Sequence, residues 1–136
     1  MADLTVPLTE ALETWAEVLH HSPMRAVFSY VREIGLSMSQ MGTLIRLHHE
    51  GVCRVSDIAG DLGITGAGAS QMLERLVQQG LVERSEDPTD RRVKLIALTD
   101  QGRAVVERGA SLRHAWFARL ADTLSPAEQQ HITAGV

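Results

Sequence analysis

Two adjacent guanidinium groups, those of Arg91 and Arg92, follow directly after residues 87–90, whose sequence is Asp-Pro-Thr-Asp. Proline and aspartate are typical of tight turns, so both arginines are expected at the tip of a turn. Asp90 can hold an arginine through a bidentate ion pair and thereby fix the direction of its guanidinium group. Two cations held at an exposed turn are suited to binding a polyanion. A solvated turn with ordinary salt bridges is the alternative for this segment taken alone.

A helix, a tight turn and a second helix are predicted immediately before this segment. Ser56 is expected to cap a short helix over residues 57–62, which Gly63 ends. Ile64, in the turn, is expected to fill the core between the two helices. A helix-turn-helix of this size fits a groove of duplex DNA.

The second of these helices is predicted for residues 66–79, after Thr65. Gly66 and Gly68 near its start each cost about 1 kcal/mol relative to alanine in a helix interior. A close approach of the backbone to a ligand would account for this cost, since helix N-termini attract phosphate oxygens; poor optimisation is the alternative. The apolar face of the helix comprises Ala69, Leu73, Leu76 and Val77. The outward residues near its start form a candidate base-reading surface: Thr65, Gly66, Ser70 and Gln71.

Two strands, over residues 81–84 and 93–98, are predicted on either side of the arginine turn and form a small hairpin. Four basic residues concentrate on this hairpin: Arg84, Arg91, Arg92 and Lys94. An arginine that an aspartate aims suits the narrow minor groove, where the potential of DNA is most negative. The hairpin after a helix-turn-helix therefore predicts binding to double-stranded DNA. A winged-helix module that binds another protein is the alternative, and it would not need these cations on one hairpin.

Composition sets the limits for this interpretation. The chain has 136 residues with 44% hydrophobic content, which is enough for one domain with an ordinary core. Its net charge is −4, the wrong sign for a protein that coats nucleic acid, so DNA binding requires a local basic patch. Because the chain has neither a signal peptide nor an apolar run of roughly 18 residues, we expect a cytoplasmic protein that does not enter a membrane. The single cysteine, Cys53, excludes an internal disulfide and a multi-cysteine zinc site.

Helices are also predicted at both ends of the chain. Apolar residues spaced by three and four predict an N-terminal helix that is kinked or broken at residues 22–23 and ends at Gly35. Ser37 or Ser39 is expected to cap a second helix that Gly51 ends.

A long helix is predicted after Thr99, which is its expected N-cap. Residues 125–128 have the pattern of a capping box, yet only residues 129–136 follow it. The long helix is expected to bury one face in the core or in a dimer interface, with the residues Val105, Val106, Leu112, Trp116, Leu120 and Leu124.

An ordered set of motifs resembles the MarR family of bacterial and archaeal winged-helix regulators over roughly Leu36 to Arg103. These motifs are Leu62-Gly63-Ile64-Thr65, Leu73-Glu74-Arg75-Leu76, Gly80-Leu81-Val82-Glu83-Arg84, Asp87-Pro88-Thr89-Asp90-Arg91-Arg92 and Leu98-Thr99-Asp100-Gln101-Gly102. The resemblance implies a homodimer whose subunits each place one recognition helix in the major groove and a wing arginine in the flanking minor groove. It further implies that Asp90 pairs with Arg92, which leaves Arg91 as a phosphate contact.

The expected fold is mainly α with a small β-hairpin wing, in a single winged helix-turn-helix domain over residues 1–136. Residues 1–35 and 100–136 would supply the dimerisation helices, and residues 36–99 the DNA-binding winged helix. The expected DNA-binding residues are Thr65, Gly66, Ser70, Gln71, Arg75, Arg84, Asp90, Arg91 and Arg92.

The chain also departs from the family pattern. Gly68 stands where a serine or threonine is usual, and Gln71 where a basic residue is frequent, so the base-reading surface is small and uncharged. The wing and the shape of the DNA would then contribute much of the selectivity. The end of the chain is short for the family, which indicates either a trimmed dimer interface or a truncated chain.

The resemblance also implies an effector pocket where the first, second and fifth helices meet. The residues that fall there by position are Trp15, Leu19, His20, Met24, Phe28, Met41, Ile45, His49 and Trp116. Such an apolar lining, with a histidine or Arg46 to meet a carboxylate, suits a small aromatic or lipophilic anion. Simple core packing of the same residues is the alternative. The expected function is therefore a ligand-responsive repressor without catalysis or cofactor.

Metal and redox chemistry are weaker alternatives. Glu17 lies one helical turn before His20 and His21. The other histidines are His48, His49, His114 and His131. A metal-sensing regulator of the same fold is therefore an alternative. Neighbouring histidines on a helix diverge by about 100°, however, which disfavours a zinc site, and no nucleophile and base stand in a recognisable order for an enzyme. Cys53, beside Arg54, could sense oxidation, but a small buried apolar role is the default.

Overall fold

The computed structural model of the protein describes residues 9–10, 13–14, 16–17 and 23–134. The chain forms two compact units, one of Met1–Tyr30 with Ala110–Val136 and the other of Val31–Gly109. Residues 23–134 contain six helices and three strands: α1 (Pro23–Glu33), α2 (Met38–Glu50), β1 (Cys53–Arg54), α3 (Val55–Leu62), α4 (Gly66–Gln78), β2 (Val82–Glu86), β3 (Lys94–Leu98), α5 (Asp100–Thr123) and α6 (Pro126–Ala134).

Helix α2 begins where the sequence predicts. The Ser37 hydroxyl accepts a hydrogen bond from the Gln40 backbone N–H at 3.1 Å, and the Gln40 side chain accepts one from the Ser37 N–H at 2.8 Å. This capping box satisfies two of the N–H groups that a helix start leaves unpaired. Gly51 ends the helix with a φ of +80°, so both expected boundaries of α2 are confirmed.

The structure corrects two expectations about α3. The helix starts at Val55 with Arg54 at the N-cap and no side-chain cap, while the Ser56 hydroxyl donates to the Asp57 carboxylate at 3.2 Å. Arg54 is the last residue of β1 and the helix follows it directly, so the helix starts two residues earlier than expected. Ile64 is 41% exposed and does not fill the core. Its place between α3 and α4 is taken by the buried residues Ile58, Ala59, Ala69 and Leu73.

Three antiparallel strands form a sheet in the order β1-β3-β2. The two predicted strands are present, although β2 starts one residue later and ends two residues later than expected. Strand β1 was not expected, because two residues carry no periodic pattern and their pairing partners lie 43 and 41 residues away in the chain. Ile96, at the centre of β3, pairs with Cys53 on one side and Arg84 on the other, and it is fully buried.

The start of α5 packs against the start of the hairpin. The Thr99 hydroxyl donates to the Gly80 carbonyl at 2.6 Å and accepts from the Gly102 N–H at 3.1 Å, which confirms Thr99 as the helix cap. The Thr99 N–H donates to the Leu81 carbonyl at 3.2 Å. A Cβ atom on Gly102 would lie 2.0 Å from that same carbonyl oxygen. Only glycine therefore permits this approach of the helix to the chain.

The other unit contains most of α1, the second half of α5 and α6. Helix α1 begins at Pro23, and the left-handed Gly35 follows its end, as expected. The Ser125 N–H and hydroxyl donate to the Glu128 carboxylate at 2.8 and 2.7 Å, which confirms the predicted capping box before α6. Val106 on the expected face of α5 is buried, and Val105, Leu112, Trp116, Leu120 and the following Leu124 are half-buried. Within the described residues, no helix is long and apolar enough to cross a membrane.

We expect Gly102→Ala to lower the free energy of unfolding by roughly 1–3 kcal/mol, because the new methyl group collides with backbone that cannot move away cheaply. Gly60→Ala is the matched control: nothing lies within 4 Å of a Cβ there, and removing a glycine from α3 should stabilise by about 0.5–1 kcal/mol. Urea unfolding of both variants measures the difference. A Gly102→Ala protein as stable as the parent would show that the contact does not hold α5 in place.

Candidate nucleic-acid interface

The N-terminal half of α4 presents a face of small side chains. Thr65 caps the helix by accepting from the Gly68 N–H at 3.1 Å. A Cβ atom at Gly66 would meet nothing within 4 Å, so this part of the helix is open to a ligand. Thr65, Gly66 and Gln71 are exposed, and Ser70 is half-buried. The outward orientation predicted from the sequence is therefore confirmed for Thr65, Gly66 and Gln71 and only in part for Ser70, while base contact stays a prediction.

The turn between β2 and β3 is held by two aspartates. Asp87 accepts hydrogen bonds from the N–H and the hydroxyl of Thr89 at 2.8 and 2.6 Å. Asp90 accepts from Nε and Nη2 of Arg92 at 3.0 and 3.1 Å, and from the Arg92 backbone N–H at 3.0 Å. The expected bidentate pair between Asp90 and Arg92 is thus confirmed. Two local hydrogen-bonded loops give the turn a fixed shape without any ligand.

The Asp90–Arg92 pair combines exposure with direction. The Arg92 side chain is 92% exposed, which would normally leave it free to move through many rotamers. The two parallel hydrogen bonds to Asp90 restrict it instead. Hydrogen bonds from the Arg92 side chain, and secondly from its backbone N–H, lower the pKa of Asp90. The carboxylate therefore stays ionised near neutral pH and remains available to orient the guanidinium group.

A basic cleft of about 460 Å³ lies between α4 and the hairpin. Within the described part of the chain, neither Arg54 nor Arg84 forms an ion pair, whereas Lys94 pairs with Glu86 at 2.5 Å. The backbone N–H groups at the uncapped start of α3 add a positive partial charge near Arg54. The cleft is lined by Arg54, Val55, Ser56, Gly66, Ser70, Arg84, Arg92, Val93 and Lys94.

The cleft brings together four of the residues predicted to bind DNA, namely Gly66, Ser70, Arg84 and Arg92. It also includes Arg54 and Ser56, which were not predicted as contacts, and Lys94, which was noted only as part of the basic hairpin. Arg54 is there because β1 pairs it with Leu95, next to Lys94. No pattern of neighbouring residues predicts this pairing, although a single arginine directly before the start of a helix could have indicated a contact with DNA. The other predicted contacts lie outside the cleft: Thr65, Gln71 and Arg75 on α4 and Asp90 and Arg91 on the turn.

Arg46 is occupied by contacts within the protein. It forms ion pairs with Glu50 at 2.9 Å and with Asp61, and it donates to the Asp57 carbonyl at 3.2 Å. The contacts with Asp57 and Asp61 tie α2 to α3, whereas Glu50 lies on α2 itself. The suggestion that Arg46 meets the carboxylate of an effector stays a prediction, and an effector would have to compete with two carboxylates of the protein for the guanidinium group.

Cys53 is buried in β1, with 6% of its surface exposed. Burial raises the pKa of its thiol, and the nearby Arg46 opposes this effect only in part. The suggestion that Arg54 would lower this pKa is wrong: the cation that acts on the thiol is Arg46, and the Glu50 carboxylate lies 3.7 Å from Sγ. The default role of Cys53 as a small buried residue is confirmed. A thiol kept protonated in this way reacts slowly with oxidants.

The residues predicted for an effector pocket are only partly described. Trp15, Leu19 and His20 lie outside the described residues. Met24 and Trp116 are half-buried and Phe28 is 40% exposed in one unit; Met41 is buried, Ile45 is 39% exposed and His49 is exposed in the other. The pocket therefore stays a prediction.

The same applies to metal binding by the histidines. The imidazoles of His48 and His49 meet edge to face, with ring centroids 5.6 Å apart. Among the residues that the structure describes, no three potential metal ligands converge. Glu17 is described, but the neighbouring His20 and His21 are not.

Comparison with known proteins identifies the family. The model of the MarR family matches residues 36–94. YfiV of Bacillus subtilis (strain 168), an uncharacterized HTH-type transcriptional regulator, is 30% identical over 131 residues, which cover 94% of this chain and 81% of YfiV. The chain therefore belongs to the MarR family. The family and these relatives are transcriptional regulators and not enzymes.

Solved structures agree with this assignment. The crystal structure of RV1404 from Mycobacterium tuberculosis has a TM-score of 0.80 and 29% identity to this chain, covering 98% of it and 91% of RV1404. The S. aureus MepR–DNA complex has a TM-score of 0.73 and 27% identity, covering 88% of this chain and 90% of MepR. The mainly helical winged helix-turn-helix fold predicted from the sequence is confirmed.

We expect the Asp90 carboxyl group to titrate below the range of a free aspartate, so that the ion pair is lost only when the pH falls through this lowered pKa. Arg92→Ala should raise that pKa part of the way back, because the backbone N–H at position 92 still donates. Thr89→Ala is the control and should instead raise the pKa of Asp87, which Thr89 lowers. Carboxyl-carbon NMR measures both. An Asp90 midpoint that Arg92→Ala leaves unchanged would contradict the pair in solution.

Proposed function

We propose that this MarR-family regulator binds a near-palindromic operator as a homodimer and represses transcription until a small-molecule effector releases it. The observation that carries the DNA-binding part is the basic cleft. An acidic chain with a net charge of −4 concentrates Arg54, Arg84, Arg92 and Lys94 beside one exposed helix face. Such a local concentration of cations is what an acidic protein needs in order to bind a polyanion.

Each part of the interface has a distinct role in this proposal. The start of α4 enters the major groove, where small side chains allow the backbone to approach the base edges. Arg92 extends from the turn into the flanking minor groove, whose negative potential favours an inserted arginine. Arg54, Arg84 and Lys94, with the start of α3, neutralise phosphates between the two grooves. The complex of MepR with DNA supports DNA binding by analogy.

The alternatives differ in what they leave unexplained. A winged-helix module that binds protein would not need four cations around one cleft. A metal-sensing regulator of the same fold would bind DNA in the same way and differ only in its effector. Since operators and promoters are in the cytoplasm of a bacterium or archaeon, a cytoplasmic location is part of the proposal.

We expect the purified protein to be a dimer that protects a site with two-fold symmetry on duplex DNA, with half-sites about one helical turn, ~10 bp, apart. Each phosphate that a cation neutralises releases counterions, so the logarithm of the affinity should fall linearly with the logarithm of the salt concentration. Footprinting on the DNA upstream of the protein's own gene, with sedimentation analysis, measures both. A monomer on DNA or an asymmetric footprint would count against the proposal.

Arg92→Ala should weaken operator binding more than Gln71→Ala does. A charge-assisted contact contributes roughly 1.5–3 kcal/mol and a neutral hydrogen bond roughly 0.5–1.5 kcal/mol. Asp90→Ala should reproduce part of the Arg92 effect, because it leaves the guanidinium group without a fixed direction. Arg92→Lys controls for charge, since it keeps the cation and loses the bidentate pair. Titrations at matched salt test this order, and equal losses for Arg92→Ala and Gln71→Ala would refute a dominant wing.

The effector in this proposal is a small aromatic or lipophilic anion. By thermodynamic linkage, if a ligand lowers the affinity of the protein for its operator by some factor, DNA must lower the affinity for that ligand by the same factor. Titrating salicylate-like acids against the preformed complex, and repeating this with Trp15→Ala and His49→Ala, tests both halves of that statement. If millimolar acid changes neither operator affinity nor melting temperature, the aromatic anion is the wrong class and metal ions become the next candidates.

A further inference from the structure

The first two turns of α4 contain one side chain that can form two hydrogen bonds to a base. Recognition helices contact base edges with their N-terminal residues, which here are residues 65–72. All eight are described. Gly66, Ala67, Gly68 and Ala69 offer no side-chain donor or acceptor, and Met72 offers none of use. The polar side chains that remain are Thr65, Ser70 and Gln71.

Two of these three side chains are already partly engaged in other contacts or positions. The Thr65 hydroxyl oxygen accepts from the Gly68 N–H as the helix cap. Ser70 is half-buried and lines the basic cleft beside Arg84 and Arg92, where it faces the expected path of the phosphates. Gln71 is exposed, and within the described part of the chain its amide has no hydrogen-bond partner. The amide is therefore free to bond to a ligand.

The neighbours of Gln71 allow it to reach a base edge. Ala67 lies one turn before it on the same face, and Gly66 has open space around it. Small residues at these positions let the helix axis come close to the floor of the groove, so a side chain of intermediate length can reach the bases. Glu74 and Arg75 lie one turn further from the helix start, about 4.5 and 6 Å along the axis.

The chemistry of the amide matches one base better than the others. In the major groove, adenine presents an acceptor at N7 and a donor at N6, and a glutamine amide offers one donor and one acceptor in the same plane. Guanine presents two acceptors at the corresponding positions, so the amide oxygen would face another oxygen or nitrogen acceptor. The donor and acceptor pattern thus favours an A·T pair.

We infer that Gln71 reads one A·T base pair in each operator half-site through two hydrogen bonds to adenine. This inference rests on the proposed function, since it needs α4 in the major groove. It assigns separate tasks to the two ends of the interface: Arg92 raises affinity for many sequences, whereas Gln71 discriminates at a single position. Gln71→Ala should therefore relax the sequence preference more than it lowers the affinity.

The test is selection of binding sites from a random duplex library with four proteins: the parent, Gln71→Ala, Gln71→Arg and Gln78→Arg. Gln78→Arg is the matched control, because Gln78 is an exposed glutamine in the last turn of the same helix and gains the same charge. The parent should select A·T at one position of each half-site. Gln71→Arg should select G·C there, because arginine pairs with O6 and N7 of guanine. Gln78→Arg should select the parent's sequence.

Affinities for synthetic duplexes then give the magnitude. Replacing that A·T pair by G·C should weaken binding of the parent by about 5- to 100-fold and leave Gln71→Ala nearly unaffected. If both Gln71 variants select the same bases as the parent at every position, the inference is overturned while the proposed function stands. If the parent selects no sequence at all, the proposed function fails, and the inference fails with it. Thermal melting of each variant shows that the comparison is between folded proteins.

Discussion

The direction of the hairpin depends on one backbone contact, that of Gly102 in α5 against the carbonyl of Leu81. The chain passes from α4 through Gly80 and Leu81 into β2, and it leaves β3 through Thr99 into α5. Because Thr99 donates to both the Gly80 and the Leu81 carbonyls, the two ends of the hairpin are fixed at the same place. The Leu81 N–H also bonds to the carbonyl of Leu76 in α4, at 3.0 Å. The cations of the hairpin are therefore held at a fixed position relative to the exposed face of α4.

A second set of contacts fixes the opposite side of the cleft. Strand β1 pairs with β3 and carries Arg54 to the edge of the cleft, directly at the start of α3. Arg46 of α2 ties that helix to α3 through Asp61 and the backbone carbonyl of Asp57. The charged residues that line the cleft come from three separate places in the chain, and none of them depends on a long flexible loop for its position.

Features that depend on neighbouring residues in the chain could be predicted from the sequence. The caps at Ser37, Thr65, Thr99 and Ser125 are examples, because a cap joins groups only two or three residues apart. Local sequence also indicated that Asp90 holds an arginine, whereas the choice of Arg92 over Arg91 came from the resemblance to the MarR family.

Features that need contacts between distant segments could not be predicted. Strand β1 exists only because β3 lies beside it, and α3 follows β1 directly, so that Arg54 and not Ser56 is the N-cap of the helix. The pairing of Arg46 with Asp61 follows from the packing of α3 against α2, and the raised pKa of Cys53 follows from its burial in β1 beside β3. Ile64 was misplaced for the opposite reason: an apolar residue in a turn is not required to enter the core when other side chains already fill it.

The uneven distribution of charge has a consequence for how the protein meets DNA before any contact forms. Four cations lie in one cleft, so the rest of the chain is more acidic than the net charge of −4 suggests. In the electric field of DNA such a molecule experiences a torque that turns the cleft towards the DNA. In other orientations the acidic part of the chain faces the DNA and is repelled. Electrostatics would then act as a filter on encounter geometry as well as a source of affinity. The acidic remainder of the chain also shortens the time that the protein spends on DNA in unproductive orientations. A uniformly basic protein would lack this effect.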